Sequence, residues 1–119
     1  MNTQEVANRL VELCREGKNI DAINELYADN VVSHEAAGVP MEKAEGKEAV
    51  IEKNNHWYST VEEVHSASVS DPIVTGNFFA CTMDMDVTYK EHGRVTMNEI
   101  CVYEVKDGKI ISDQFFYNM

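Results

Sequence analysis

The residues of this 119-residue chain that could do chemistry are acids on stretches that alternate like β-strands. In residues 81–87, CTMDMDV, alternation places Asp84 and Asp86 on one face and two methionines on the other. Two neighbouring carboxylates in a dry environment repel each other and share a proton, which would make one of them a general acid or base. The alternative is that both acids face water while the methionines fill the core.

A further acid, Glu99, lies in the next predicted strand, on a mainly apolar face that it shares with Tyr103. A buried glutamate without a cationic partner is costly, so we expect Glu99 to be protonated, paired or solvated by a pocket. The functional interpretation is a pocket acid that gives and takes a proton. The alternatives are a solvated glutamate near a strand end, or a pair between Glu99 and either His34 or His56.

Polar and aromatic residues elsewhere could complete such a pocket. His34 and Glu35 follow a short apolar strand, and histidine is the natural proton carrier near neutral pH. Trp57 ends a predicted helix and should pack in the core with its indole N–H on a buried acceptor. The predicted catalytic residues are Asp86, Glu99, Asp84 and His34. The predicted substrate-binding residues are Glu35, His56, Trp57, Tyr103, Gln114 and Phe116.

The elements that must position these residues change type halfway along the chain. Helical spacing predicts helices over residues 3–17, 20–27 and 46–58, with Thr3 as the first N-cap and Gly17 as its stop. Between the second and third helices we expect a short strand at residues 31–32. A surface loop over residues 36–45, containing Gly38 and Pro40, should follow it.

From residue 61 onward the period changes to that of strands separated by turns. The predicted strands after the first cover residues 78–89, 94–105 and 109–117. Asp107-Gly108 is the strongest hairpin signal, because a tight two-residue turn needs positive φ at both positions. Sequential strands joined by short turns are antiparallel. The prediction is therefore an α+β fold, with three N-terminal helices on one face of a curved, mainly antiparallel sheet.

Composition narrows the partners and the compartment. The net charge of −11 repels phosphate backbones and anionic headgroups, so we expect neither a nucleic-acid nor a membrane partner. Three cysteines without a CxxC pair and four scattered histidines predict neither a disulfide framework nor a metal site. No signal peptide and no membrane span are predicted, which favours a cytoplasmic protein with one domain over residues 1–119.

Several runs together resemble one family. The run ELYADNVV at residues 25–32, the run GKEAV at residues 46–50, and VKDGKII with QFFY at residues 105–111 and 114–117 are similar to SnoaL-like polyketide-cyclase relatives. These relatives form a branch of the nuclear-transport-factor-2-like superfamily. The resemblance covers essentially the whole chain. It implies a cone-shaped pocket between helices and sheet, and a homodimer through the outer face of the sheet.

The resemblance does not imply one reaction, because isomerases, cyclases, dehydratases, epoxide hydrolases and non-catalytic domains share this fold. In epoxide-hydrolase-like members an arginine is expected where Asp84 stands and an acid where Asn118 stands, so epoxide hydrolysis is not expected here. If Asp84 and Asp86 enter the pocket, Met83 and Met85 would face a dimer partner. We expect a cofactor-independent isomerase, cyclase or lyase that acts on a small apolar or amphipathic ligand. The alternative is a non-catalytic binding or dimerisation module.

Overall fold

Three helices and seven strands make up the part of the chain that the computed structural model describes, which is residues 1–36, 39 and 42–118. The helices are α1 (Thr3–Arg15), α2 (Asn19–Leu26) and α3 (Lys47–Thr60). The strands are β1 (Tyr27–His34), β2 (Lys43–Glu45), β3 (Val61–Val69), β4 (Ile73–Thr75), β5 (Phe78–Tyr89), β6 (Gly93–Lys106) and β7 (Lys109–Phe116). The predicted α+β class is confirmed.

The strands form one curved sheet that stays open, in the order β2-β1-β7-β6-β5-β3, with β4 pairing to β5. Every neighbouring pair is antiparallel except β1 and β7, which run parallel. The three helices pack on one face of this sheet. Below, the helix-covered face of the sheet is called the inner face and the opposite one the outer face.

A capping box begins α1, one residue earlier than predicted. The side chain of Asn2 accepts a hydrogen bond from the Glu5 backbone N–H at 2.8 Å, and the Glu5 carboxylate accepts from the Asn2 N–H at 3.0 Å. Thr3, the predicted N-cap, is instead the first helical residue. The predicted stop holds, because the helix ends before Gly17, whose φ of +74° suits glycine.

The core lies between α1, α2 and the inner face of the sheet. Val6 and Leu10 of α1 are buried against it, as helical spacing predicts. On the sheet side Phe79 and Tyr103, from neighbouring strands, stack with their ring centroids 4.6 Å apart. The space beside these rings is a cavity that Tyr103 lines together with residues of all three helices.

The segment around Tyr27 differs from the prediction. The second helix ends at Leu26, and β1 begins at once with Tyr27, which pairs in register with Ile110 of β7. That parallel pairing joins residues far apart in sequence, so local periodicity could not indicate it. β2 lies within the predicted loop over residues 36–45, whereas Gly38 and Pro40 lie outside the described residues.

The last hairpin forms as predicted, but its register contains a bulge. Asp107 and Gly108 both have positive φ, 52° and 77°, as a tight two-residue turn requires. Val105 pairs with Ile110, whereas the next pair is Glu104 with Ser112, so one residue of β7 has no partner. A one-residue bulge exchanges the two faces for all residues of the strand beyond it. The bulge therefore decides which side chains in the second half of β7 face the helices.

Candidate functional site

A cavity of about 340 Å³ lies between the three helices and the inner face of β5, β6 and β7. Its polar and titratable lining residues are Asn19, Tyr27, Glu35, Lys53, Asn54, His56, Thr60, Glu99, Tyr103, Asp113 and Tyr117. Its apolar, thiol and tryptophan lining residues are Leu10, Cys14, Ala22, Ile23, Val39, Trp57, Met83, Met85, Met97 and Phe115. Apolar walls with a few converging polar groups are the usual form of a small-molecule site.

Glu99 projects from β6 into this cavity. Within the described residues, its one hydrogen bond comes from the Cys101 thiol, at 3.7 Å between Sγ and Oε1, which is a weak donor. Burial and the nearby negative charge of Glu35 raise the pKa of Glu99 to about 7, against the smaller opposing effect of Lys53. Glu99 can therefore both give and take a proton near neutral pH.

A buried polar cluster forms one end of the cavity. Asp113 of β7 is 1% exposed and accepts hydrogen bonds from the hydroxyls of Tyr27 and Ser33. Ser33 in turn accepts a hydrogen bond from the ammonium of Lys53, at 2.5 Å between Nζ and Oγ. Burial raises the pKa of Asp113, although both hydroxyls and the Lys53 charge act against that rise.

Lys53 comes from α3 and is 8% exposed, which is rare for a lysine unless it is paired. Its Nζ lies 3.0 Å from Oε1 of Glu35, and the other carboxylate oxygen of Glu35 accepts from the Tyr117 hydroxyl at 3.1 Å. The ammonium also lies 5.1 Å from the centre of the Phe115 ring. A cation is thus held at the cavity wall by a carboxylate, a hydroxyl and a ring face.

Sulfur and aromatic side chains line the opposite end. Met85 and Met97 are direct cross-strand neighbours on β5 and β6, and Met83 stands opposite Glu99. The indole of Trp57 donates to the Tyr89 hydroxyl at 3.2 Å, so the acceptor expected for its N–H is present. Because methionine side chains are flexible and polarizable, this wall can adapt to ligands of different shape.

An open groove of about 580 Å³ lies beside the cavity. Glu35, Glu99, Phe115 and Tyr117 contribute atoms to the lining of both spaces. The remaining lining residues of the groove are Ala36, Thr82, Asp84, Asn98, Ile100, Gln114, Phe116 and Asn118. The Glu99 side chain belongs to the inner face of the sheet, and the residue is half-buried.

The two aspartates of β5 do not enter the cavity. Asp86 accepts two hydrogen bonds from the guanidinium of Arg94, at 3.0 and 2.8 Å, and this contact lowers its pKa. Asp84 accepts from the Asn98 amide at 2.8 Å on the same, outer face. The aspartates thus point away from the cavity, which is the second of the two alternatives given above. Met83 and Met85 line the cavity on the inner face, where a dimer partner would not contact them. The expectation that Asp84 and Asp86 act beside Glu99 is therefore wrong.

Three other predicted residues also lie away from the cavity. His34 alternates with the fully buried Ser33 on β1 and is absent from the described lining. Gln114 and Phe116 face the outer groove, because the bulge after Ile110 turns Asp113 and Phe115 inward in their place. The structure does bring together, around one cavity, the predicted residues Glu99, Glu35, His56, Trp57 and Tyr103.

Sequence reasoning missed the four residues of the polar cluster, Tyr27, Ser33, Lys53 and Asp113. For Lys53 a signal exists, since it lies three residues after Val50 and four before Trp57, on the inner stripe of the third helix. A lysine on such a stripe is unusual enough to indicate a partnered interior charge. For Asp113 no local signal exists, because its direction depends on the bulge in β7.

The fold and the cavity define a pocket-bearing α+β protein of the nuclear-transport-factor-2-like class. The family model for the SnoaL-like domain matches residues 1–117, and the chain belongs to this family. No curated protein matches the sequence significantly. In the part of the chain that the structure describes, no helix has both the length and the apolar character needed to cross a membrane.

Solved structures give the same result. A SnoaL-like polyketide cyclase-type protein from Mesorhizobium loti is 41% identical, with a TM-score of 0.90 over 98% of this chain and 100% of that one. A protein described in the same way from Jannaschia is 16% identical, with a TM-score of 0.78 over 98% and 87%. A protein with a ketosteroid isomerase-like fold from Catenulispora acidiphila, in complex with trimethylamine, is 17% identical, with a TM-score of 0.77 over 99% and 88%. The last two likenesses concern the fold alone.

Proposed function

We propose that this protein is a cofactor-independent isomerase, cyclase or lyase in which Glu99 transfers a proton to and from a small carbonyl compound. The observation that carries the proposal is a carboxyl group with a pKa of about 7 on the wall of a largely apolar cavity. An acid or base whose pKa lies near the working pH is the most effective proton-transfer catalyst. Membership of a family whose fold often serves isomerases and cyclases supports the class of reaction.

The position of Glu99 suits this role. Ionised Glu99 would take a proton from carbon, and protonated Glu99 would return it to another atom of the same ligand. Glu99 is half-buried and not sealed from solvent, so it could exchange that proton with water between turnovers. Of the other predicted residues, Trp57 and Tyr103 would shape the cavity, and Glu35 would hold the pKa of Glu99 high.

The size of the cavity limits the ligand. At about 30 Å³ for each water-sized atom group, 340 Å³ holds roughly a dozen non-hydrogen atoms. This favours ligands with one or two rings. The wall formed by Met83, Met85 and Met97 favours an apolar body, and the cluster around Lys53 favours a polar end.

The test measures, by NMR in D₂O, how fast the α-protons of one- and two-ring ketones are replaced by deuterium. Cyclohexanone and 2-tetralone are suitable compounds. We expect the protein to accelerate exchange, with a rate that rises through pH 7 as Glu99 ionises. Glu99→Gln should slow the catalysed exchange about 100-fold or more. Glu104→Gln, on the outer face of the same strand, is the matched control and should leave it unchanged. Exchange that is equal in Glu99→Gln and the unaltered protein would contradict the proposal.

The second candidate function is non-catalytic binding of a small molecule in the same cavity. It is favoured by the related fold from Catenulispora acidiphila, which holds trimethylamine. In that case ligands would shift thermal stability without any proton exchange. The exchange experiment therefore separates the two candidates when a thermal-shift measurement accompanies it on the same compounds.

We also propose a homodimer through the outer face of the sheet. Ile100 and Phe116 are direct cross-strand neighbours there, and each is half exposed, which makes an apolar patch. We expect light scattering to give twice the mass of the 13.5 kDa chain. The double variant Ile100→Lys/Phe116→Lys should give the monomer mass while its circular dichroism stays unchanged. A monomer in the unaltered protein would refute this assembly.

A further inference from the structure

We infer that the ammonium of Lys53 binds the carbonyl oxygen of the substrate and stabilises the negative charge that develops there when Glu99 removes the α-proton. The inference rests on the proposed function and narrows its substrate class to compounds whose acidic C–H lies next to a carbonyl group. It adds a catalytic residue that is not among those predicted from the sequence.

The hydrogen-bond inventory of Lys53 leaves room for a ligand. Its ammonium has three N–H donors, and among the described residues two of them meet acceptors, Ser33 Oγ at 2.5 Å and Glu35 Oε1 at 3.0 Å. The third N–H has no acceptor within the described part of the chain. Because Lys53 lines the cavity, a ligand oxygen can occupy that place.

The position of the Lys53 ammonium is fixed by hydrogen bonds as well as by its ion pair with Glu35. Ser33 is fully buried and is held through its own hydroxyl by Asp113, which Tyr27 also donates to. A chain of hydrogen bonds thus runs from the interior of the sheet to the ammonium. Donors that are positioned before the reaction need no reorganisation when charge develops, which is what makes such groups effective catalysts.

Lys53 and Glu99 line the same cavity, Lys53 from α3 and Glu99 from β6. The charge of Lys53 acts on Glu99 and lowers its pKa, against the larger effects of burial and of Glu35. A base and a cation that act on each other within one cavity of about 340 Å³ can contact the two ends of one small carbonyl compound.

The proton transfer balances without any co-reactant. Glu99 takes the α-proton, the C–H electron pair becomes the new C=C bond, and the carbonyl π pair moves to the oxygen that Lys53 holds. Return of the proton from Glu99 to a different carbon completes an isomerisation. If Glu99 first exchanges that proton for a deuteron of D₂O, return of the deuteron to the same carbon completes a hydrogen–deuterium exchange. Lys53 keeps its proton throughout and contributes charge and a hydrogen bond.

The test needs a variant that removes the ammonium without leaving an unpaired acid. Glu35→Gln/Lys53→Met removes both charges of the pair and keeps both side-chain lengths. The two charges act on the pKa of Glu99 in opposite directions, so the double variant changes that pKa less than Glu35→Gln alone does. Glu35→Gln alone is the matched control, because it keeps the ammonium.

We expect the double variant to exchange the α-protons of 2-tetralone about 100-fold more slowly than Glu35→Gln, at a pH where Glu99 is ionised in both. We also expect the carbonyl ¹³C resonance of 2-tetralone bound to Glu35→Gln to lie downfield of that of the free ketone. In the double variant this downfield shift should disappear. The pKa of Glu99, measured by carboxyl NMR, sets the pH for each comparison.

The outcomes separate this inference from the proposed function. If Glu99→Gln abolishes exchange but the double variant matches Glu35→Gln, Lys53 has no catalytic role and proton transfer by Glu99 stands. If Glu99→Gln changes nothing, the proposed function fails, and the carbonyl resonance alone decides the contact. An unshifted resonance in Glu35→Gln, or no binding of the ketone, overturns the contact.

Discussion

Replacing Glu99 by glutamine should make the protein more stable than the unaltered chain above neutral pH, by roughly 3 kcal/mol at pH 8. The folded state holds the Glu99 proton up to a pKa of about 7, whereas the ordinary value is 4.5. Between these values the folded protein binds more protons than the unfolded chain, so its free energy of unfolding falls as pH rises. Glutamine cannot ionise, and this cost disappears with it.

The measurement is urea unfolding of both proteins at pH 5, 6, 7 and 8. The difference in free energy of unfolding should be small at pH 5, grow through pH 6 and 7, and level off above. Other groups that titrate, such as Asp113, contribute equally to both proteins in first approximation. Glu104→Gln should show no such growth. A Glu99→Gln difference that stays constant with pH would mean that Glu99 is not held in a desolvated place.

Replacing Lys53 by methionine should lower the free energy of unfolding by about 3–5 kcal/mol. Methionine fills nearly the same space, but the change leaves the Glu35 carboxylate without its cation and Ser33 without its donor. A buried ion pair is far more costly to break than to remove whole. The double variant Glu35→Gln/Lys53→Met should therefore recover most of the loss.

Urea unfolding at pH 7 measures these effects. Lys106→Met, at an exposed position, is the control for loss of one positive charge and should change stability by no more than about 0.5 kcal/mol. If Lys53→Met is as mild as that control, the ammonium is solvated and the polar cluster does not form. A double variant as unstable as Lys53→Met would assign the loss to packing and not to the unpaired charge.

The central assignment of the site was available from the sequence. Glu99 stands out because an acid interrupts a strand face that is otherwise mainly apolar, and that face is the inner one. Alternation also gave the correct outward direction for Asp84 and Asp86 as one of two alternatives. What alternation could not give was the preference between these alternatives, because both faces of residues 81–87 could pack or could meet water.

The errors on β7 share one cause. A two-residue turn at Asp107-Gly108 with a regular ladder would place Gln114 and Phe116 on the face of Glu99, as predicted. One unpaired residue between Ile110 and Ser112 exchanges those faces and turns Asp113 inward. The local sequence is compatible with both registers. Burial of Tyr27, Ser33 and Lys53 around the carboxylate of Asp113 occurs only with the bulge.

By itself the sequence determined the order of the three helices and the long strands, the last turn and the acid on β6, because periodicity and turn chemistry act over a few neighbouring residues. Only the tertiary structure decided the register of β7, the parallel pairing of β1 and the meeting of Lys53 with Glu35 and Ser33. Those contacts join residues about twenty to eighty positions apart. They depend on how much polar surface the complete fold can bury and satisfy, which no short window of sequence contains.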